Sequence, residues 1–109
     1  MGEISYKDFA KLDLRIGTIK NVQTIDGADK LYKLTVSLGK STRTIVAGMR
    51  PYYNSADLFG KKVVVLTNLA PRRLRGVESR GMILAAQDEN ETVALLKPEK
   101  IVNDGAKVL

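Results

Sequence analysis

The chain has no cysteine, no histidine and no tryptophan, and its aromatic residues are limited to four tyrosines and two phenylalanines. Without cysteine there is no disulfide framework and no thiolate chemistry, which fits a reducing compartment. Without cysteine and histidine together, a metal site would need clustered carboxylates. The acids are scattered or gathered in Asp88-Glu89-Asn90-Glu91, which reads as a solvated hairpin tip, so no metal and no cofactor is expected. So few aromatics argue against a single-strand binder built on stacked bases. No aliphatic run exceeds that of Val63–Leu66, far short of the ~20 residues of a membrane span. The opening Met1-Gly2-Glu3-Ile4-Ser5-Tyr6 carries an acid early and lacks the apolar stretch of a signal peptide. Tyr6 also stands where a myristoylation pattern wants Ser or Thr. The expectation is a cytoplasmic protein that does not engage a membrane.

At 109 residues the chain suits one domain, 1–109, with a single real core. An apolar fraction of 44% and a charged fraction of 28% are ordinary for a globular protein. The net charge of +6 is the informative total, because such an excess favours polyanionic partners.

The dominant periodicity is two. Tyr32, Leu34, Val36 and Leu38 alternate with polar residues, and Ser41–Ala47 reads as the hairpin partner after Gly39-Lys40. Leu12, Leu14 and Ile16 alternate until Gly17, where the parity changes, which predicts a bulge or bend at that glycine. Lys62–Asn68 is apolar on both faces until the asparagine, as a central or strongly curled strand would be. Gly81–Asp88 and Thr92–Lys97 predict two further strands. Short helices are predicted over Tyr6–Leu12 and over Ser55–Leu58, the latter capped by Ser55. Strands in this order predict an all-β fold: a five-stranded OB-fold barrel with a short helix and a C-terminal extension, packed on the barrel or on a second subunit. An SH3-like barrel satisfies the same pattern.

Between two oily segments lies Asn68-Leu69-Ala70-Pro71-Arg72-Arg73-Leu74-Arg75-Gly76-Val77-Glu78-Ser79-Arg80-Gly81-Met82, with four of the seven arginines. Arginine suits planar, bidentate recognition of phosphate. Pro71, Gly76 and Gly81 could hold the arginines in a fixed frame. Asn68 and Ser79 add neutral donors and acceptors, and Met82 could lie against a ribose or base. On composition alone a solvated loop and a working surface are about level; placement between two core strands favours the surface. Lys30 and Lys33, at the connection of the first two strands, could extend it, as could Arg43 on the neighbouring strand. Ser79 misses the nucleophile-elbow spacing, and Gly76–Gly81 lacks the Gly-Lys-Ser/Thr of a phosphate loop. No catalytic residue is assigned, and an enzyme is the least expected class.

Asp8-Phe9, Lys11–Gly17, Ala28–Tyr32, Arg43–Gly48 and above all Asn68–Ala86 together resemble the tRNA-binding domain family. That OB-fold module occurs at the C-terminus of many methionyl-tRNA synthetases, as a stand-alone structure-specific tRNA-binding protein, and in the endothelial-monocyte-activating polypeptide. The resemblance covers nearly the whole chain from Asp8. It implies binding at the outside corner of tRNA through Lys30, Asn68, Ser79 and Met82, supported by the arginines, and homodimerisation. Two departures stand out: Asp26-Gly27 occupies the place of a frequent His-Pro, and Tyr53–Asp57 replaces a commoner Pro-Glu.

The expected function is therefore non-catalytic, structure-specific tRNA binding in support of methionyl-tRNA synthetase, as detached subunit or C-terminal domain. The expected tRNA-binding residues are Lys30, Lys33, Arg43, Asn68, Arg72, Arg73, Arg75, Ser79 and Met82. Expected partners are tRNA, a second copy of the chain and the synthetase's catalytic subunit. The main alternative is a dimeric export-associated chaperone of the same fold that binds unfolded protein; a binder of single-stranded oligonucleotides is a further rival.

Overall fold

The structure, a computed structural model, describes residues 2–109. The chain is mostly sheet with two one-turn helices, α1 (Tyr6–Phe9) and α2 (Ser55–Leu58). Its strands are β1 (Leu14–Ile25), β2 (Ala28–Ser37), β3 (Thr42–Ala47), β4 (Lys62–Leu66), β5 (Arg72–Leu74), β6 (Val77–Ser79), β7 (Met82–Ile83), β8 (Ala85–Gln87) and β9 (Val93–Leu95). Five of them form one antiparallel sheet in the order β3-β2-β1-β4-β7. The hairpins β5–β6 and β8–β9 stand apart from it.

β1 organises the fold by changing partners along its length. Leu14–Thr18 pairs with β4, and Thr18–Ile25 pairs with β2. The parity change at Gly17 does not mark a bulge there; the register slips three residues later, between Ile19 and Asn21. Gly17 is needed for close approach instead. A Cβ at this position would lie 2.7 Å from Val36 Cγ1 and 2.8 Å from the Ser37 carbonyl oxygen, where the curling sheet brings β2 across β1. The edge that β2 vacates along Leu14–Ile16 is taken by the C-terminal segment: Ile16 N–H donates to Ala106 O, and Val108 N–H to Leu14 O, both at 2.9 Å. The expected extension thus packs on the sheet of its own chain.

The concave face buries Ile19, Leu34, Val36, Ile45, Leu58, Val63 and Val65. The alternation seen along β2 is this face. β4 is apolar on both sides because Val64, with Leu14 and Ile16, packs under Leu84, Ala106 and Val108.

Several boundaries differ from expectation. The strand expected over Gly81–Asp88 is two strands, because Leu84 leaves the main core for the second cluster while donating to Val64 O at 3.0 Å. β4 ends at Leu66, since Thr67 and Asn68 turn to bind the backbone of Lys11 and Asp13. Helix α1 stops at Phe9, and α2 starts after Asn54, not Ser55, at the N-cap, with no side-chain cap bond. The expected barrel is not closed by strand pairing: β3 and β7 remain the edges of the sheet. Their gap is bridged by isolated bonds, because the chain between Leu74 and Gly81 turns back into the β5–β6 hairpin.

Candidate nucleic-acid interface

The arginine-rich stretch is a hairpin and not an open loop. β5 and β6 pair through Arg72↔Ser79, Arg73↔Glu78 and Leu74↔Val77. Arg75 and Gly76 form its two-residue turn with φ of 51° and 80°, the pair of positive angles that matches the twist of a tight hairpin. Arginine is an unusual residue for such an angle, so the tip carries some backbone strain.

The hairpin is bolted to the sheet at its base. The Arg43 guanidinium, reaching from β3, donates to Thr67 O at 2.6 Å and to Arg80 O at 3.2 Å. One side chain therefore ties together the two ends of the excursion that carries the other arginines. Arg80 N–H donates to Thr44 O at 2.9 Å. The Ser79 hydroxyl, only 5% exposed, accepts from Val46 N–H at 2.9 Å and donates to Gly81 O at 3.3 Å. Gly81 sits at φ 134°, and a Cβ there would meet Leu66 O at 2.9 Å. No bulkier residue passes this crossing without displacing β4 or β7.

A second set of bonds anchors the hairpin's leading end. Asn68 accepts from Asp13 N–H at 2.9 Å and donates to Lys11 O at 2.7 Å, so both ends of its amide are engaged. Thr67 donates to the Asp13 carboxylate at 2.7 Å, and Arg15 donates to the same group at 2.7 Å. The Thr67 hydroxyl first, and Arg15 second, hold the Asp13 carboxyl below its ordinary value. Nothing in the pattern around Asp13 or Thr67 points to this network, because its partners lie 54 residues apart in sequence.

The structure distributes most of the expected site residues over three hollows that the hairpin helps to line. Lys30 and Arg75 line a shared hollow formed by the β1–β2 turn and the hairpin tip. Lys33, Arg43, Arg73 and Arg80 line a cleft of about 570 Å³ along the outer side of β3. Met82, 44% exposed, opens onto a third cleft beside Leu69 and Arg72. Asn68 and Ser79 belong to the same neighbourhood, but their polar groups are already occupied by backbone. Among the described residues, no ion pair uses Lys30, Lys33, Arg72, Arg73 or Arg75. Arg80 is paired with Glu78 at 3.4 Å in full view of solvent, a contact worth little. Among the described residues no group of three or more acids could hold a metal ion, and no helix is long and apolar enough to cross a membrane.

The chain matches the family model described as "Putative tRNA binding domain" over residues 14–107. It is 54% identical over 108 residues to the methionine–tRNA ligase of Pyrococcus horikoshii; the match covers 99% of this chain but only 15% of that protein's length. In structure it is similar to a methionyl-tRNA-synthetase-related protein from Pyrococcus horikoshii, with a TM-score of 0.94, 35% identity and full coverage of both chains. It is also similar to the chaperone CsaA from Bacillus anthracis, with a TM-score of 0.89, 28% identity and coverage of 99% and 100%. With a family-model match over residues 14–107 and a relative 54% identical along nearly its whole length, the chain belongs to the tRNA-binding domain family.

Proposed function

We propose that the chain is a non-catalytic module that binds folded tRNA in support of methionyl-tRNA synthetase. The observation that carries this reading is the β5–β6 hairpin, which presents Arg72, Arg73 and Arg75 without an ion-pair partner among the described residues, beside Lys30. Phosphate contacts from these cations supply affinity and register. Arg43, Asn68 and Ser79 hold the hairpin in place for an RNA surface recognised by shape. The domain works as a single OB-type barrel, 1–109, in which Arg43, Ser79 and Arg80 close the seam that strand pairing leaves open. Exposed Phe59, Leu96, Ile101 and Leu109, the last two 96% and 97% exposed, support a homodimer; its place in the cytoplasm beside the synthetase's catalytic subunit belongs to the same proposal.

The test is a fluorescence-anisotropy titration against folded tRNA, the same tRNA held unfolded, and length-matched single-stranded DNA, at two salt concentrations. Preference for folded tRNA that survives the higher salt is the expected result. Equal binding to all three, erased by salt, would reduce the hairpin to a generic positive patch.

A second reading has its own support. The likeness to a chaperone and the apolar cleft beside Met82 favour a module that binds unfolded polypeptide. It expects denatured protein to bind as tightly as tRNA and to compete with it.

A further inference from the structure

Between the end of β3 and the segment leading into the hairpin lies a cleft of about 380 Å³, in the range of small-ligand sites. Its walls are chiefly Leu31, Val46, Met49, Leu69, Leu74 and Met82. Arg72 and Ser79 are its only polar side chains, and the Ser79 hydroxyl is spent on Val46 N–H and Gly81 O. Arg72 stands exposed at the cleft, while Lys30 adjoins Leu31 and shares a hollow with Arg75. An apolar floor beneath a cationic rim is complementary to a flat, weakly polar body that carries an anion.

We propose that this cleft seats one unstacked nucleobase of the bound RNA, with its flanking phosphates on Arg72, Arg75 and Lys30. The inference rests on the RNA-binding reading above and gives it a mechanism. No side chain in the floor has a free donor or acceptor for a base edge, so base identity goes unread. What is selected is a base already out of the stack. Continuous duplex RNA hides every base and offers only phosphates; a folded RNA with an extruded nucleotide offers both. The contact is made by the Met82 thioether and by leucines, since no aromatic ring lines the cleft.

The test uses two RNA hairpins of one stem sequence, one with a single bulged 2-aminopurine, the other fully paired with 2-aminopurine in the stem. The bulged hairpin should bind roughly two- to tenfold tighter, the scale of a thioether–ring contact. Its emission should rise on binding, because the cleft has no ring to quench it. Met82→Ala and Leu69→Ala, both at exposed positions, should reduce the bulged hairpin to the level of the paired one without changing the salt slope; Met82→Leu should retain the preference. Equal affinity for the two hairpins, in a protein that still prefers folded tRNA, would overturn the cleft assignment and leave the tRNA reading standing. Failure to bind any RNA would remove both. An apolar peptide whose binding is lost in Met82→Ala, while the RNA preference persists in that variant, would give the cleft to polypeptide instead.

Discussion

The two ends of β4 both carry positive charge, yet they use it differently. At its start, Lys62 is half-buried and committed: its ammonium lies 2.7 Å from the Asp104 carboxylate, which also accepts from the Thr18 hydroxyl at 2.6 Å. Burial pushes Asp104 up, but the bonds from Lys62 and Thr18 outweigh it and hold the carboxyl low. Beyond the other end of β4, the hairpin arginines have no such partner. The first cluster fastens the C-terminal segment to the sheet; in the second, Arg73 donates to Gly76 O at 2.8 Å, but among the described residues no carboxylate pairs with Arg72, Arg73 or Arg75. Commitment to a carboxylate, more than the number of charges, separates these two groups of cations.

The sharpest way to break this contrast is Arg72→Ala/Arg73→Ala/Arg75→Ala. The salt dependence of tRNA binding should flatten by roughly 0.7–0.9 per lost phosphate contact on a log–log plot, with the urea midpoint nearly unchanged. An unaltered slope would mean these arginines do not meet RNA. Arg43→Ala should act differently, since it leaves the Thr67 and Arg80 carbonyls unpaired at the hairpin's base. Stability should fall by about 1–3 kcal/mol and tRNA affinity should drop, while the salt slope stays close to that of the parent.

At the opposite end, Lys62→Met should cost about 1–2 kcal/mol in urea denaturation by stranding Asp104, with tRNA affinity intact. A loss of binding without a loss of stability would reverse the roles assigned to the two ends. The smallest effect concerns acid. Asp13 and Asp104 are both held below the ordinary value of 3.8 in the folded chain. The unfolded chain therefore binds protons more readily, and the stability these carboxylates supply is present above that value and lost as pH falls from it through their lower folded values. The urea midpoint should decline between about pH 5 and about pH 3; Asp13→Asn with Asp104→Asn should blunt that decline.

The sheet was largely legible in the sequence where one face is buried and the other wet, as along Tyr32–Val36. It was not legible where a strand changes what it faces: Leu84 is as apolar as Ile83 but belongs to a different cluster. The positions of Arg72, Arg73 and Arg75 could be read as a surface from their spacing and their Pro and Gly frame. Their arrangement as a hairpin could not, because Arg75-Gly76 lacks the Asn-Gly or Asp-Gly signal of such turns. The bonding of Asn68 and Ser79 was hidden for another reason. Their backbone partners lie 55 and 33 residues away, and a polar side chain gives no local sign of such a commitment. Resemblance named Asn68 and Ser79 as contacts; packing shows their polar groups already bonded to backbone.

Arg75 carries one last implication. Its φ of 51° is one that glycine or asparagine would adopt more comfortably. Replacing it with either would make a sturdier hairpin, and selection for thermal robustness alone would favour the change. Such a variant would give up the positive charge at the tip of the hairpin, so durability and the proposed grip on a polyanion pull against each other at this single position.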